Sequence, residues 1–159
     1  MATNPSPIHY GLIDPKIAAT MSGMGLLQAI IAGKLAAPPI ARTLDYGLIE
    51  IAPGRAVFAG VPSIDHYNPL GTVHGGYIAT LLDSAMGCAV HSKLVAGQTY
   101  TTLEFKVNFV RPVLHDTGEV RAEGTLIHLG KRSATSEARL VDSGGKLYAH
   151  STTTCLIFG

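Results

Sequence analysis

Between Ile17 and Leu35 the apolar residues Ile17, Met21, Met24, Leu27, Ile31 and Leu35 recur every three or four positions, the stripe of an amphipathic helix packed on a larger body. The pair Pro38-Pro39 stops that helix, and the period then changes. Strand-like runs at Leu44 to Ala52 and Arg55 to Val61 predict a hairpin turning at Pro53-Gly54. A loop rich in Pro, Asn and Gly follows from Pro62 to Thr72. Helical spacing returns from about Gly75 to His91, where Ile78, Leu81, Leu82, Ala85, Met86 and Ala89 fall three and four apart. Tyr77, Ala79, Gly87, Cys88 and Val90 leave this helix little polar surface, so it is predicted to be buried. Four more β-rich runs complete the chain: Thr101 to Val113, Gly118 to Leu129, Arg132 to Val141 and Leu147 to Phe158. Turn signals separate them at Pro112 to Thr117, Gly130-Lys131 and Asp142 to Gly145. Short links favour antiparallel neighbours, and the order predicts one α+β domain over residues 1–159, a long antiparallel sheet curled around the central helix.

One residue conflicts with that apolar helix. Asp83 has poor helix propensity, and a carboxylate among apolar neighbours is costly unless it is paired or used. Asp83 and Ser84 either occupy a wet edge or form part of a site. The start of the same helix supports the second reading. His74-Gly75-Gly76 follows directly on a loop, where two glycines let a ligand approach the backbone and free N–H groups can stabilise an oxyanion. The plain alternative is a tight helix entry capped by His74. Asn68, six residues before His74, can add an amide donor to the same oxygen. Gly75 and Asp83 are eight residues apart, roughly 12 Å along one helix at about 1.5 Å per residue, so a single chain cannot bring both to one carbonyl carbon. Two chains with antiparallel central helices across a two-fold would bring Asp83 of one to Gly75 of the other, with two equivalent sites per dimer.

Composition agrees with an assembly. Only 14% of the 159 residues are charged and 47% are hydrophobic, a weakly polar surface for so small a monomer. The net charge of +1, with no basic run, offers no footprint for nucleic acid or an anionic membrane. The uncharged stretch Ile17 to Gly33 is short for a membrane span, is broken by Ser22, Gly23 and Gly25, and lacks a basic leader, so neither a membrane segment nor a signal peptide is expected. Cys88 and Cys155 lack CxxC spacing and read as reduced thiols of a cytoplasmic protein. The seven histidines show no HxH, HxxxH or HExxH spacing, and there is no GxSxG elbow, so neither a metal site nor a serine nucleophile is expected.

Three segments together carry a resemblance: LLQAIIAGKLAAPPIARTL, NPLGTVHGGYIATLLDSAMG and YTTLEFKVNFVRPV. The sequence resembles the hotdog-fold acyl-CoA thioesterases, specifically the phenylacetate-degradation type related to one class of 4-hydroxybenzoyl-CoA thioesterase. The resemblance implies a hotdog fold with an extra N-terminal helix, no cofactor, an acyl-CoA substrate, and a homodimer with shared sites that pairs further into a homotetramer. It implies that Asn68 and the Gly75 N–H polarise the thioester carbonyl while His74 shapes the loop. Asp83 of the opposite chain then acts as general base on water or as nucleophile. Thr101 matches the position that helps hold the water; Thr102, on the other face of the strand, takes its place if the register differs by one. Gly76 belongs to the substrate-binding helix start, and Arg111, Lys131, Arg132 and Ser133 are candidates for the coenzyme A phosphates. Two other readings stay open. The run DHYNPLGTVH approaches the hotdog hydratase or dehydratase pattern, but Asp65 is one residue too far from Asn68 and the histidine comes four residues after Leu70. A non-catalytic acyl-CoA binding module would have no use for a carboxylate aimed at the acyl carbon.

Overall fold

The computed structural model describes residues 8–159. Three short helices, α1 (Pro15–Thr20), α2 (Gly23–Ile31) and α3 (Pro39–Thr43), precede a hairpin of β1 (Tyr46–Ala52) and β2 (Arg55–Gly60). A single 3₁₀ turn, Ile64–His66, leads to the long helix α4 (Gly75–His91). Then come β3 (Thr99–Phe109), β4 (Val120–Leu129), β5 (Ser133–Asp142) and β6 (Leu147–Phe158), with a second 3₁₀ turn, His115–Thr117, before β4. The strands form one antiparallel sheet in the order β1-β2-β4-β5-β6-β3, so β1 and β3 are its edges.

Helix α4 lies against one face of this sheet, the α+β hotdog arrangement that the sequence predicts. Its Leu81, Leu82, Ala85 and Met86 are fully buried against Val57, Val120, Ala122 and Leu140, which come from three different strands. Each of the larger side chains contributes about 1.5–3 kcal/mol by leaving water. The approach is close enough to dictate residue size: a Cβ on Gly124 of β4 would collide with the Ala85 carbonyl of α4. Several buried polar side chains find backbone acceptors, as where the Ser136 hydroxyl donates to the Met86 carbonyl at 3.1 Å.

The N-terminal helix differs from its sequence pattern. Instead of one helix from Ile17 to Leu35, the chain turns extended at Met21, and Ser22 caps a new helix by accepting from the Gly25 N–H at 3.2 Å. Gly23 explains the break. It is buried against the end of α4, where any Cβ would strike the His91 carbonyl, and its N–H donates to the Leu94 carbonyl at 3.0 Å. Docking onto α4 therefore overrides a continuous 3.6-residue period. The prolines also do more than stop a helix, because Pro39 opens α3, and β1 consequently begins at Tyr46 where Leu44 was expected. Strand β3 ends at Phe109, short of Val113, since Val110 and Arg111 both turn their N–H groups onto the Tyr148 carbonyl.

Candidate active site

The loop before α4 is built to present Asn68 and the helix start. The Asn68 side-chain oxygen accepts from the N–H groups of Leu70 at 2.9 Å and Thr72 at 3.3 Å, which fixes the amide's orientation. Its nitrogen donates one hydrogen to the Thr72 hydroxyl at 2.9 Å, leaving the second unassigned. His74 is the N-cap of α4: its Nδ1 accepts from the Gly76 N–H at 2.8 Å, and its own N–H donates to the His66 carbonyl at 2.7 Å. Both glycines leave room for neighbouring side chains. A Cβ on Gly76 would press on His74 Nδ1 at 2.9 Å, and one on Gly75 would meet the Phe109 ring at 3.0 Å. The Gly75 N–H has no acceptor among the described residues. A concavity of about 450 Å³ lies here, lined by Asn68, Thr72, Gly75, Phe109 and Arg111 among others. A free amide hydrogen, a free backbone N–H and the positive end of a 17-residue helix thus share one opening.

Two turns further along α4, Asp83 is half-buried and accepts from the Thr102 hydroxyl at 3.0 Å. Burial raises its pKa above the ordinary carboxylate value, and the Thr102 hydrogen bond offsets only part of that rise. Within the chain the partner of Asp83 is Thr102, whereas Thr101 is exposed and pairs with Leu156 in the ladder. The pleat decides between them, because Tyr100 and Thr102 point toward α4 and the residue between them cannot. Asp83 stands in the wall of a second cavity of about 390 Å³, distinct from the Asn68 opening, with Ser84, Cys88, Tyr46 and Tyr100 also in its lining. The Ser84 and Tyr46 hydroxyls bond to each other at 3.1 Å. Burial and the nearby Asp83 push the Cys88 thiol up to about 12, so it stays protonated.

The candidate cations divide between the two ends of the sheet. Arg111 lies by the Asn68 opening, its guanidinium donating to the Leu147 carbonyl at 2.6 Å. Lys131, Arg132 and Ser133 are exposed at the β4–β5 turn, where Ser133 pairs with Leu156 and Leu156 with Thr101. Eight residues of β3 separate Thr101 from Phe109, roughly 26 Å of strand. One chain therefore holds an anion-stabilising opening with Arg111 at one end, and a carboxylate with Lys131 and Arg132 toward the other.

Sequence spacing does not single out Thr72 as the residue that orients Asn68, nor Tyr46, Tyr100 and α2 as walls around Asp83. Thr72 had a local signal, since a Thr four residues after an Asn closes a side-chain turn. The other contacts are long-range and leave no mark on local spacing.

A sequence model of the thioesterase superfamily matches residues 70–149, half of the chain and the whole of α4. The chain belongs to the thioesterase superfamily. A relative from Saccharolobus solfataricus that carries an esterase name is 32% identical over 114 residues, 71% of this chain and 79% of its own length. The chain spans about half, 46%, of the length of another esterase-named relative, from Halobacterium salinarum, at 33% identity over 73 residues. Among solved structures, a phenylacetic acid degradation protein PaaI from Thermus thermophilus is similar at 33% identity with a TM-score of 0.67, covering 74% of this chain and 97% of that one. A phenylacetic acid degradation-related protein from Ralstonia eutropha JMP134 reaches a TM-score of 0.74 at 26% identity, covering 82% and 98%. Among the described residues, no helix of this thioesterase-family chain is long and apolar enough to cross a membrane.

Proposed function

We propose that the protein hydrolyses the thioester of an aryl- or medium-chain acyl-CoA, releasing the acid and coenzyme A, at a site shared by two copies of the chain. The observation that carries this reading is the separation of Asp83 from the Gly75 N–H, roughly 12 Å along one rigid helix, with each in its own opening. Neither half is a hydrolytic site alone. Strand β3 supplies a means of joining them: among the described residues it is a sheet edge of 11 residues, with Leu103, Phe105 and Phe109 exposed along it. Such an edge is a template for pairing with a second chain. Gly75 sits against Phe109 and Asp83 against Thr102, so antiparallel pairing about the middle of β3, near Phe105, brings Asp83 of one copy toward the Asn68 opening of the other. The same pairing brings Arg111 of one copy toward Lys131 and Arg132 of its partner, the cations suited to a phosphorylated coenzyme.

In the shared site, the Gly75 N–H and the free Asn68 hydrogen bind the carbonyl oxygen as it gains negative charge. Asp83, in its ionised form and steadied by Thr102, either takes a proton from water as that water attacks the carbonyl carbon, or attacks directly to give an anhydride that water then cleaves. Coenzyme A leaves as the thiolate and is protonated by solvent. Thiol release from a panel of acyl-CoAs, measured on the wild type and on Asp83→Ala, tests the reading. Turnover is expected to collapse in the variant while its melting transition persists. Near-normal turnover by Asp83→Ala would remove Asp83 from the chemistry, and binding of acyl-CoA without any thiol release would leave a binding module.

A further inference from the structure

Most of the roof of the cavity beside Asp83 is made by chain that lies before the family-matched residues 70–149. Leu27 and Ile30 of α2 and Ala37 and Ala41 around α3 face Asp83, Ser84 and Cys88 of α4 across a space of about 390 Å³. That volume falls toward the small end of the range for ligand pockets, about 300–1,000 Å³. The floor from Ser84 to His91 runs seven residues along the helix, roughly 10 Å.

The roof is fixed at both ends. Gly11 donates to the Ala37 carbonyl and Ala37 to the His9 carbonyl, each at 2.9 Å, while Gly23 is locked to Leu94 at the far end of α4. Among the described residues, the lining includes no lysine or arginine. His91 is the one described lining group able to carry positive charge, and burial lowers its pKa, favouring the neutral ring.

Resting on the thioesterase reading above, we infer that this cavity is the acyl chamber, that the α2–α3 roof sets the size of acyl group accepted, and that the chamber takes uncharged acyl groups while refusing those that end in a second carboxylate. An acyl tail entering beside Asp83 replaces water against Leu27, Ile30, Tyr46 and Phe58. A terminal carboxylate there meets no cation among the described residues and shares the space with Asp83, so its desolvation goes uncompensated. The specificity of this enzyme thus resides in a segment outside the stretch that marks its family.

Position 30 tests the inference in both directions, because Ile30 lines the chamber while only half-buried. Thiol release is measured for acetyl-, butyryl-, hexanoyl-, octanoyl-, palmitoyl- and phenylacetyl-CoA on the wild type, Ile30→Trp and Ile30→Ala, with melting curves confirming that each variant folds. Ile30→Trp is expected to lower the ratio of octanoyl to acetyl kcat/KM at least about tenfold, since a few methylene-sized contacts in a pocket are worth that much. Ile30→Ala should move the preferred length upward, and supports the inference alone if the Trp variant does not fold. Glutaryl-CoA, compared with pentanoyl-CoA of equal length, is expected to be the poorer substrate by about tenfold or more. Profiles unchanged by folded variants, or equal turnover of glutaryl- and pentanoyl-CoA, would overturn the acyl chamber while leaving the thioesterase reading in place. Failure of every acyl-CoA to release thiol would overturn both.

Discussion

The two ends of the functional helix are built by different means. At its start, the polar side chains of the Asn68 to Gly76 segment bond within those nine residues: Asn68 onto Leu70 and Thr72, His74 onto Gly76. Around Asp83 most of the surroundings come from elsewhere in the chain. Thr102 comes from the far edge strand, Tyr46 from the opposite edge strand, and the roof from helices some fifty residues earlier. The first region is polar and directional, as oxyanion recognition requires; the second is mostly apolar and burial-driven, suited to holding a tail and to perturbing a carboxylate. On the proposed function, recognition of the reacting carbonyl falls to a loop that sequence spacing specifies, while substrate selection and base tuning fall to tertiary packing.

Breaking the Asp83 end should have the largest effect. Asp83→Asn is expected to lower kcat about 10²- to 10⁴-fold, the range for losing a general base, as read by thiol release. The stability change should run the other way. Burial raises the Asp83 pKa, so the folded state holds that proton more tightly than the unfolded chain. This contribution to stability is complete below the unfolded value and is lost as pH rises through the folded one. Asn at this position, which can still accept from Thr102, should therefore melt higher than wild type at pH 7. Wild-type kcat/KM should fall with decreasing pH through a point above 3.8, the ordinary value for Asp.

Breaking the other end comes next. Asn68→Ala removes one carbonyl donor and is expected to cost about 10²- to 10³-fold in kcat. Thr72→Val leaves Asn68 in place but removes the hydroxyl that accepts from it, and should cost about tenfold in kcat, with Thr72→Ser restoring most of it. A loss in Thr72→Ser equal to that in Thr72→Val would mean the hydroxyl does not orient the amide. Arg111→Ala should have the smallest effect, a rise of about two- to fivefold in KM with kcat nearly unchanged, as for an exposed charge.

What was legible in the sequence follows the same division. The extent of α4, the Pro53-Gly54 hairpin and the whole of β6 were readable because local period and turn chemistry determine them. The placement of Asn68, His74, Gly75 and Asp83 was readable because all of them lie on one loop and one helix. The break before Gly23 was not, since it goes with close packing of Gly23 against the His91 carbonyl, nearly seventy residues away. The choice between Thr101 and Thr102 beside Asp83 depends on which face of β3 meets α4, a one-residue question that alternation alone leaves open in so weakly patterned a strand. The roof was readable as an apolar helix but not as the lid of a chamber, because its period says which face is buried and not what lies beneath.

The account turns on Asp83 acting at the carbonyl held by a partner's Asn68 and Gly75, and chain mixing tests that directly. Asp83→Ala and Asn68→Ala chains, each nearly inactive alone, are unfolded together, refolded and assayed for thiol release, with exchange confirmed by a size tag on one chain. Random pairing gives mixed dimers in about half of cases, each with one intact site, so about a quarter of wild-type activity should return. Mixed dimers that form and stay as inactive as their parents would contradict a site shared between chains.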